Sequence, residues 1–336
     1  MGSVLTPVRR RRRRRRYRFR RLTPVLLGVV LAALAGAWLG THRRSSSVAS
    51  AARPLVVVHR DVPAAKAHPA VVRGAAPTPE RLLTGGSRLA HSFSPRLLAA
   101  SAILVDANTG RVLWQLRPHQ RRHVASTTKI MTALLALRKL QPHDVVVVDK
   151  SVPRVPLVKE GLRAGERVQA WKLFYAMLLY SGNDDALALA IAAGGDKWSF
   201  VRRMNAEART LGLRDTHFVS PSGVVDVDNY STSWDLAALT RVAMRNPRFR
   251  RVVRTHVVHV KWSAPTFAKI YVNNNLLLGS YRGANGVKTG YTHKSGPCLV
   301  ASAKRGGISL IAVVLDSPDM YRDARRLLDF GFAAMS

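Results

Sequence analysis

Ser101-Ala102-Ile103-Leu104-Val105-Asp106, Ala107-Asn108-Thr109-Gly110 and Arg111-Val112-Leu113-Trp114-Gln115-Leu116 follow one another without a break. Aliphatic runs on either side of an Asn- and Gly-containing tetrapeptide predict strand, turn, strand, because those two residues tolerate left-handed turn positions. The pattern recurs near the other end, where residues 298–303 and 308–315 flank Lys304-Arg305-Gly306-Gly307. Ser317-Pro318-Asp319 then supplies a helix cap, a first-turn proline and an acid at the positive end of the helix dipole. Leu327, Leu328 and Phe332 give that helix an apolar face. Between the two hairpins, helix-spaced apolar residues run over 130–140, 170–179, 185–193 and 200–211. Strands at both ends with helices between predict an α/β (α+β) fold. Its antiparallel sheet is formed by the N- and C-terminal parts of the globular body, and a mostly helical insertion lies between them.

The 336-residue chain is 47% apolar and 22% charged, which fits a globular protein with a full core. Its formal net charge is +35, and thirteen arginines with no acid fall in residues 1–44, so the remainder still carries +22. Such a surface attracts anionic polymers. Residues 9–16 are all arginine, with Arg18, Arg20 and Arg21 after them. The next 19 residues, 22–40, are uncharged and mostly apolar. About 20 such residues cross a bilayer as a helix, and the arginine cluster would stay on the cytoplasmic side. The expected organisation is a basic cytoplasmic tail (1–21), a transmembrane signal-anchor (22–40), a flexible Ala-, Pro- and Ser-rich linker (41–95) and a catalytic domain (96–336) outside the cell membrane. Cleavage after the small residues Ala35-Gly36-Ala37 would instead release the domain. Nucleic-acid binding is disfavoured, since a spanning segment already explains the arginines. The single cysteine, Cys298, excludes an intrachain disulfide and reads as a small buried hydrophobe.

Three short strings carry chemistry. In Ser126-Thr127-Thr128-Lys129 a serine at a helix start has a lysine one turn on. A serine hydroxyl needs a base, and a lysine serves only if burial or neighbouring positive charge depresses its pKa. Lys288 could supply that charge, and N–H groups of the helix start would favour an oxyanion. In Ser181-Gly182-Asn183, Gly182 would break the preceding helix, Ser181 could relay a proton, and Asn183 can both donate and accept. Lys288-Thr289-Gly290, followed by Tyr291, reads as an edge strand that could pair with an extended peptide. Lys288 and Thr289 would hold a carboxylate, and Gly290 would let a substrate backbone approach. Each string alone has an ordinary reading: a capped helix, a helix cap, a hairpin strand with an exposed lysine. His256 and His259 are not a metal pair, because positions i and i+3 of a strand point to opposite faces.

The three strings in this order resemble the motifs of the penicillin-binding protein and serine β-lactamase superfamily. The flanks narrow the resemblance to the D-alanyl-D-alanine carboxypeptidases: Ala125 before and Ile130-Met131-Thr132 after the first string, Tyr180 and Asp184 around the second, Gly286 and Thr292 around the third, and Phe218-Val219-Ser220-Pro221-Ser222-Gly223. The similarity runs over residues 97–335. It implies that Ser126 attacks the penultimate D-alanine carbonyl of a peptidoglycan stem peptide and releases the terminal D-alanine. Lys129 is then the base, and Ser181 and Asn183 complete the proton network. Lys288 and Thr289 hold the terminal carboxylate, Gly290 and Tyr291 line the substrate strand, and the N–H groups of Ser126 and Tyr291 form the oxyanion hole. β-Lactams would acylate Ser126, and no metal or cofactor is implied. The chain ends too soon after Lys288 for the second domain and C-terminal anchor of some members, which leaves anchoring to the N-terminus. Residues 156–165 fit the family poorly, and loop shape and substrate preference depend on them. Alternatives are a D,D-endopeptidase acting on cross-links, a class A β-lactamase (disfavoured by Gly182 within the second motif) and a non-catalytic wall-polymer-binding protein.

Overall fold

The computed structural model describes residues 82–84, 94–224, 228–262 and 267–336. The expected tail, spanning segment and most of the expected linker lie outside the described residues. No described helix is long and apolar enough to cross a membrane.

The strands in chain order are β1 (Ser101–Asp106), β2 (Val112–Leu116), β3 (Arg122–His123), β4 (Val145–Val147), β5 (Arg167–Gln169), β6 (Tyr230–Ser231), β7 (Val257–Val260), β8 (Lys269–Val272), β9 (Ala284–Thr292), β10 (Gly296–Arg305) and β11 (Ile308–Leu315). The helices are α1 (Lys129–Lys139), α2 (Ala170–Tyr175), α3 (Asn183–Gly194), α4 (Lys197–Thr210), α5 (Ser233–Ala243), α6 (Pro247–Val253) and α7 (Met320–Met335). The principal sheet is antiparallel in the order β2-β1-β11-β10-β9, so the two ends of the body close on each other as expected. Every residue of β1 is buried, because both faces of the sheet are covered. Ala102 and Leu104 face the side covered by α7, with Leu327, Leu328 and Phe332. Ile103 and Val105 face the helical insertion, as the two-residue period of a strand requires. Cys298 is fully buried in β10, and burial pushes its thiol up to about 11.

Several details depart from expectation. Ser317 does not cap α7: the Asp319 carboxylate accepts from Arg322 N, while Ser317 Oγ donates to the buried Asp323 carboxylate. Asp323 also accepts from Leu98 N and Ala99 N at 2.9 and 2.8 Å, which ties the entry of the chain to α7. Helices α5 and α6 were not anticipated, although Thr232 and Asn246-Pro247 cap them in the ordinary way. The strand pairs β3–β6, β4–β5 and β7–β8 are too short to give a periodic signal. The helix before Ser181-Gly182-Asn183 is stopped by Ser181, whose φ is 79°, and not by Gly182, whose φ is −55°.

Candidate active site

Ser126 stands in a 3-10 turn, Ala125–Thr128, that runs directly into α1. The turn is clasped by two glycines. A Cβ on Gly290 of β9 would lie 3.0 Å from both Ser126 N and Val124 O. Gly223, at φ +74°, would put one 2.1 Å from Ala125 O. Gly290 therefore makes room for the backbone of the Ser126 turn, besides lining the cleft where the sequence suggested that a substrate backbone approaches.

Lys129 is completely buried. Its Nζ lies 2.8 Å from Ser126 Oγ and donates to Asn183 Oδ1 at 2.8 Å and Ser222 O at 3.1 Å. Loss of hydration holds its pKa well below the usual lysine range, the nearby Lys288 ammonium lowers it further, and Asp185 and Asp184 oppose the shift. Lys288 is not the exposed lysine of an ordinary hairpin. It is 1% exposed on β9, burial pushes its pKa down to about 7, and its Nζ donates to Thr289 O at 3.0 Å. The first and third strings thus converge through two buried lysines, and Lys288 lowers the cost of a neutral amine at Lys129.

Ser126, Ser181, Asn183, Thr289, Gly290 and Tyr291 all line a single cleft of about 910 Å³. Lys288 lies behind its wall and reaches it through Thr289. Ser181 Oγ makes no hydrogen bond among the described residues, so the hydroxyl is free to meet a ligand. Tyr291 stands at the mouth, 60% exposed, edge-on to His293.

Sequence reasoning missed the groups that hold this arrangement. The Ser222 carbonyl fixes the lysine, and side-chain types do not reveal a carbonyl. Asn229 braces that segment: its Oδ1 accepts from Val219 N and Ser220 N at 2.6 and 3.1 Å. Asp184, fully buried, accepts from the N–H groups of Glu160, Gly161 and Leu162 at 2.8, 2.8 and 3.1 Å. Asn183 N donates to Val158 O at 2.9 Å, and Asn183 Nδ2 donates to Pro156 O at 3.2 Å. Residues 156–162 are therefore bonded to the second motif. The available signal was weak: Asp184 follows Asn183 directly at the start of an otherwise mostly apolar helix. Asp185, beside it, has no hydrogen-bond partner for either carboxylate oxygen among the described residues, and burial, then Asp184 and Glu160, push its carboxyl well up.

A serine with a desolvated lysine at hydrogen-bond distance, on a helix start between a sheet edge and a helical lobe, is an acyl-transfer geometry. The family described as D-alanyl-D-alanine carboxypeptidase (Peptidase_S11) matches residues 90–319. The chain belongs to this family. Among its relatives, D-alanyl-D-alanine carboxypeptidase DacF of Bacillus subtilis is 34% identical over 256 residues, 74% of this chain and 64% of that one. The chain thus spans a little under two thirds of that relative's length. The D-alanyl-D-alanine carboxypeptidase of Streptomyces sp. (strain K15) is 36% identical over 258 residues, 71% of this chain and 89% of that one. Its crystal structure, described as a DD-transpeptidase, superposes with a TM-score of 0.68 at 35% identity, covering 72% of this chain and 99% of that one. A D-alanyl-D-alanine endopeptidase of Escherichia coli is 32% identical over 241 residues, 69% of this chain and 77% of that one. The fold is that of the penicillin-binding family, as its members' motifs implied.

Proposed function

We propose that this family member is a serine D,D-carboxypeptidase of peptidoglycan stem peptides, acting through an acyl-enzyme on Ser126. The observation that carries the reading is the 2.8 Å contact between Ser126 Oγ and the amine of Lys129, which is fully buried and whose pKa burial holds well below the usual lysine range. In the reaction, Oγ attacks the carbonyl carbon between the two D-alanines as its proton passes to Lys129 Nζ. The carbonyl oxygen becomes an oxyanion facing the N–H groups of Ser126 and Tyr291. Collapse breaks the C–N bond, and the proton moves from Lys129, by way of Ser181 Oγ, to the departing amine. Water then cleaves the ester by the reverse proton path. Thr289, backed by Lys288, holds the terminal carboxylate, and a β-lactam enters as a covalent inhibitor through the same attack on its strained amide.

The test uses labelled penicillin and a pentapeptide ending in D-Ala-D-Ala. The expected result is an adduct on Ser126 together with free D-alanine. Absence of both would overturn the reading. Cleavage within cross-links is the second reading, favoured by the endopeptidase relative, and cross-linked dimers supplied to the same assay distinguish it.

For placement, residues 1–21 and 22–40 support a basic cytoplasmic tail and an uncleaved signal-anchor, with the catalytic domain outside the cell membrane, where stem peptides lie. Carbonate extraction of membranes, followed by protease treatment of intact spheroplasts, checks this: a soluble or protease-shielded domain refutes it.

A further inference from the structure

A second hollow lies in the helical insertion and shares no lining residue with the cleft. It encloses about 260 Å³ between α1, α2 and α6. Leu137, Phe174 and Val252, all buried, form the apolar part of its wall. Trp171 and Tyr175, one turn apart on α2, add two half-buried aromatic faces, set edge to face with ring centroids 6.0 Å apart.

These walls are fixed by bonds on every side. Trp171 N donates to Pro142 O at 2.9 Å, and the indole N–H donates to Gln169 Oε1 at 3.0 Å. Arg248 donates to Leu140 O at 2.9 Å and also to Leu137 O, which ties α6 to the end of α1, where carbonyls lack helical partners. Arg250 does the same behind α5, donating to Met244 O and Arg245 O at 2.7 and 2.9 Å. Arg251 differs from both. It is exposed, it lines the hollow, and its guanidinium makes no hydrogen bond or ion pair among the described residues. The Tyr175 hydroxyl and the His143 ring nitrogens, also in the lining, make no hydrogen bond among the described residues either.

Charge here is one-sided. Arg248, Arg251 and His143 belong to the lining, and among the described residues no carboxylate does. Residues 236–315 contain thirteen Lys and Arg and not one acid, so α6 has no carboxylate of its own neighbourhood in sequence to neutralise it. Asp144, next to His143, accepts from Gln141 N at 2.7 Å. A guanidinium with its donors open meets a phosphate or carboxylate through two parallel hydrogen bonds. Aromatic faces beside an apolar wall do nothing for a bare ion. They suit a ring that is apolar on its face and polar at its rim, as a pyranose is, with C–H groups on the face and hydroxyls around the edge.

We infer that the hollow between α1, α2 and α6 is a second binding site, for an anionic sugar unit of a polysaccharide. The pyranose ring packs on Trp171 and Tyr175, and its phosphate or carboxylate pairs with Arg251. Such a site holds the polymer on the body without touching Ser126 or Lys129. It is separate from the chemistry of the cleft and stands whether or not the carboxypeptidase reading does.

The test titrates the full chain with N-acetylglucosamine, N-acetylglucosamine 6-phosphate, N-acetylmuramic acid and inorganic phosphate, with binding followed by saturation-transfer NMR. At least one of the two anionic sugars should bind about fivefold tighter than the neutral sugar and than phosphate alone, the scale of one partly exposed ion pair. The 6-phosphate and the muramic acid separate a sugar-phosphate polymer from a carboxylated glycan as the source. Arg251→Gln, at an exposed position, should erase the preference for the anionic sugar, and Trp171→Ala should weaken every sugar while Trp171→Phe restores it. Excess penicillin, which is directed to the cleft, should leave the affinities unchanged. Equal binding of the neutral sugar, a preference that survives Arg251→Gln, or competition by penicillin overturns the site. So does binding of phosphatidylglycerol vesicles by Arg251 and Trp171 with no binding of any of the three sugars.

Discussion

Asp184→Asn tests whether the acid beside the second motif is what shapes the site. The two Asp184 oxygens accept four backbone N–H groups: Glu160 and Asp185 on Oδ1, Gly161 and Leu162 on Oδ2. An asparagine keeps one oxygen and turns an NH₂ toward the other two donors, so two bonds are lost and two largely buried donors are left facing a third. Each unsatisfied donor costs about 1–3 kcal/mol, which places the total near ~4 kcal/mol. A domain of this size loses about 2–4 °C per kcal/mol, so thermal unfolding should fall by about 10 °C. The loop also carries the carbonyls of Pro156 and Val158 that bond Asn183, and Asn183 positions Lys129. Acylation by a fluorescent penicillin should therefore slow by at least about tenfold at a temperature where the variant is fully folded. The reasoning fails if circular dichroism melts of the two proteins agree within about 2 °C, or if the acylation rate is unchanged. The scale of either effect comes from the bonding count, not from charge on the surface.

Further tests follow from the same geometry. Lys129→Arg puts a cation that cannot deprotonate into the buried position, so acylation per folded molecule should fall by about 10²–10⁴-fold and the melting temperature should fall with it; mass spectrometry of the penicillin adduct at a temperature where the variant is folded checks it, and an unchanged acylation rate would refute it. Because Lys129 must be neutral to accept the proton, the unaltered chain should acylate above its depressed pKa and lose activity as pH falls through it, seen in a stopped-flow pH profile. Lys288 titrates at about 7 when folded and at its ordinary 10.5 when unfolded, so between those values the unfolded chain binds more protons and stability rises with pH. Urea unfolding should show that rise from pH 7 to 10, to which the depressed Lys129 also contributes, and Lys288→Met should make it shallower; an unchanged slope would refute it. Gly290→Val would press a side chain against Ser126 N and Val124 O, and penicillin acylation should fall at least about tenfold, while equal rates would show that the turn can yield.

The three motifs and the two terminal hairpins were legible because each rests on local rules: residue types in strings of three or four, and alternating apolar runs ended by Asn and Gly. Less legible were features whose cause lies elsewhere in the chain. The buried state of Lys288 depends on β10, which pairs with its strand, and on the helical lobe, whose α6 packs against β9. The left-handed residue at the second motif is Ser181, where the composition favoured Gly182. The purpose of Gly290 lies in Val124 and Ser126, more than 160 residues away. The chain by itself determined the antiparallel sheet and the helical insertion, which follow from periodicity, and it singled out Ser126 and Lys129 as candidate nucleophile and base through three ordered strings and the family they resemble. Only the tertiary structure decided that Lys129 is dry, that Lys288 is dry beside it, and that residues 156–162 are fastened to Asn183 and Asp184. Desolvation and hydrogen-bond saturation are properties of what surrounds a group, and those surroundings are assembled from segments that local sequence rules treat separately.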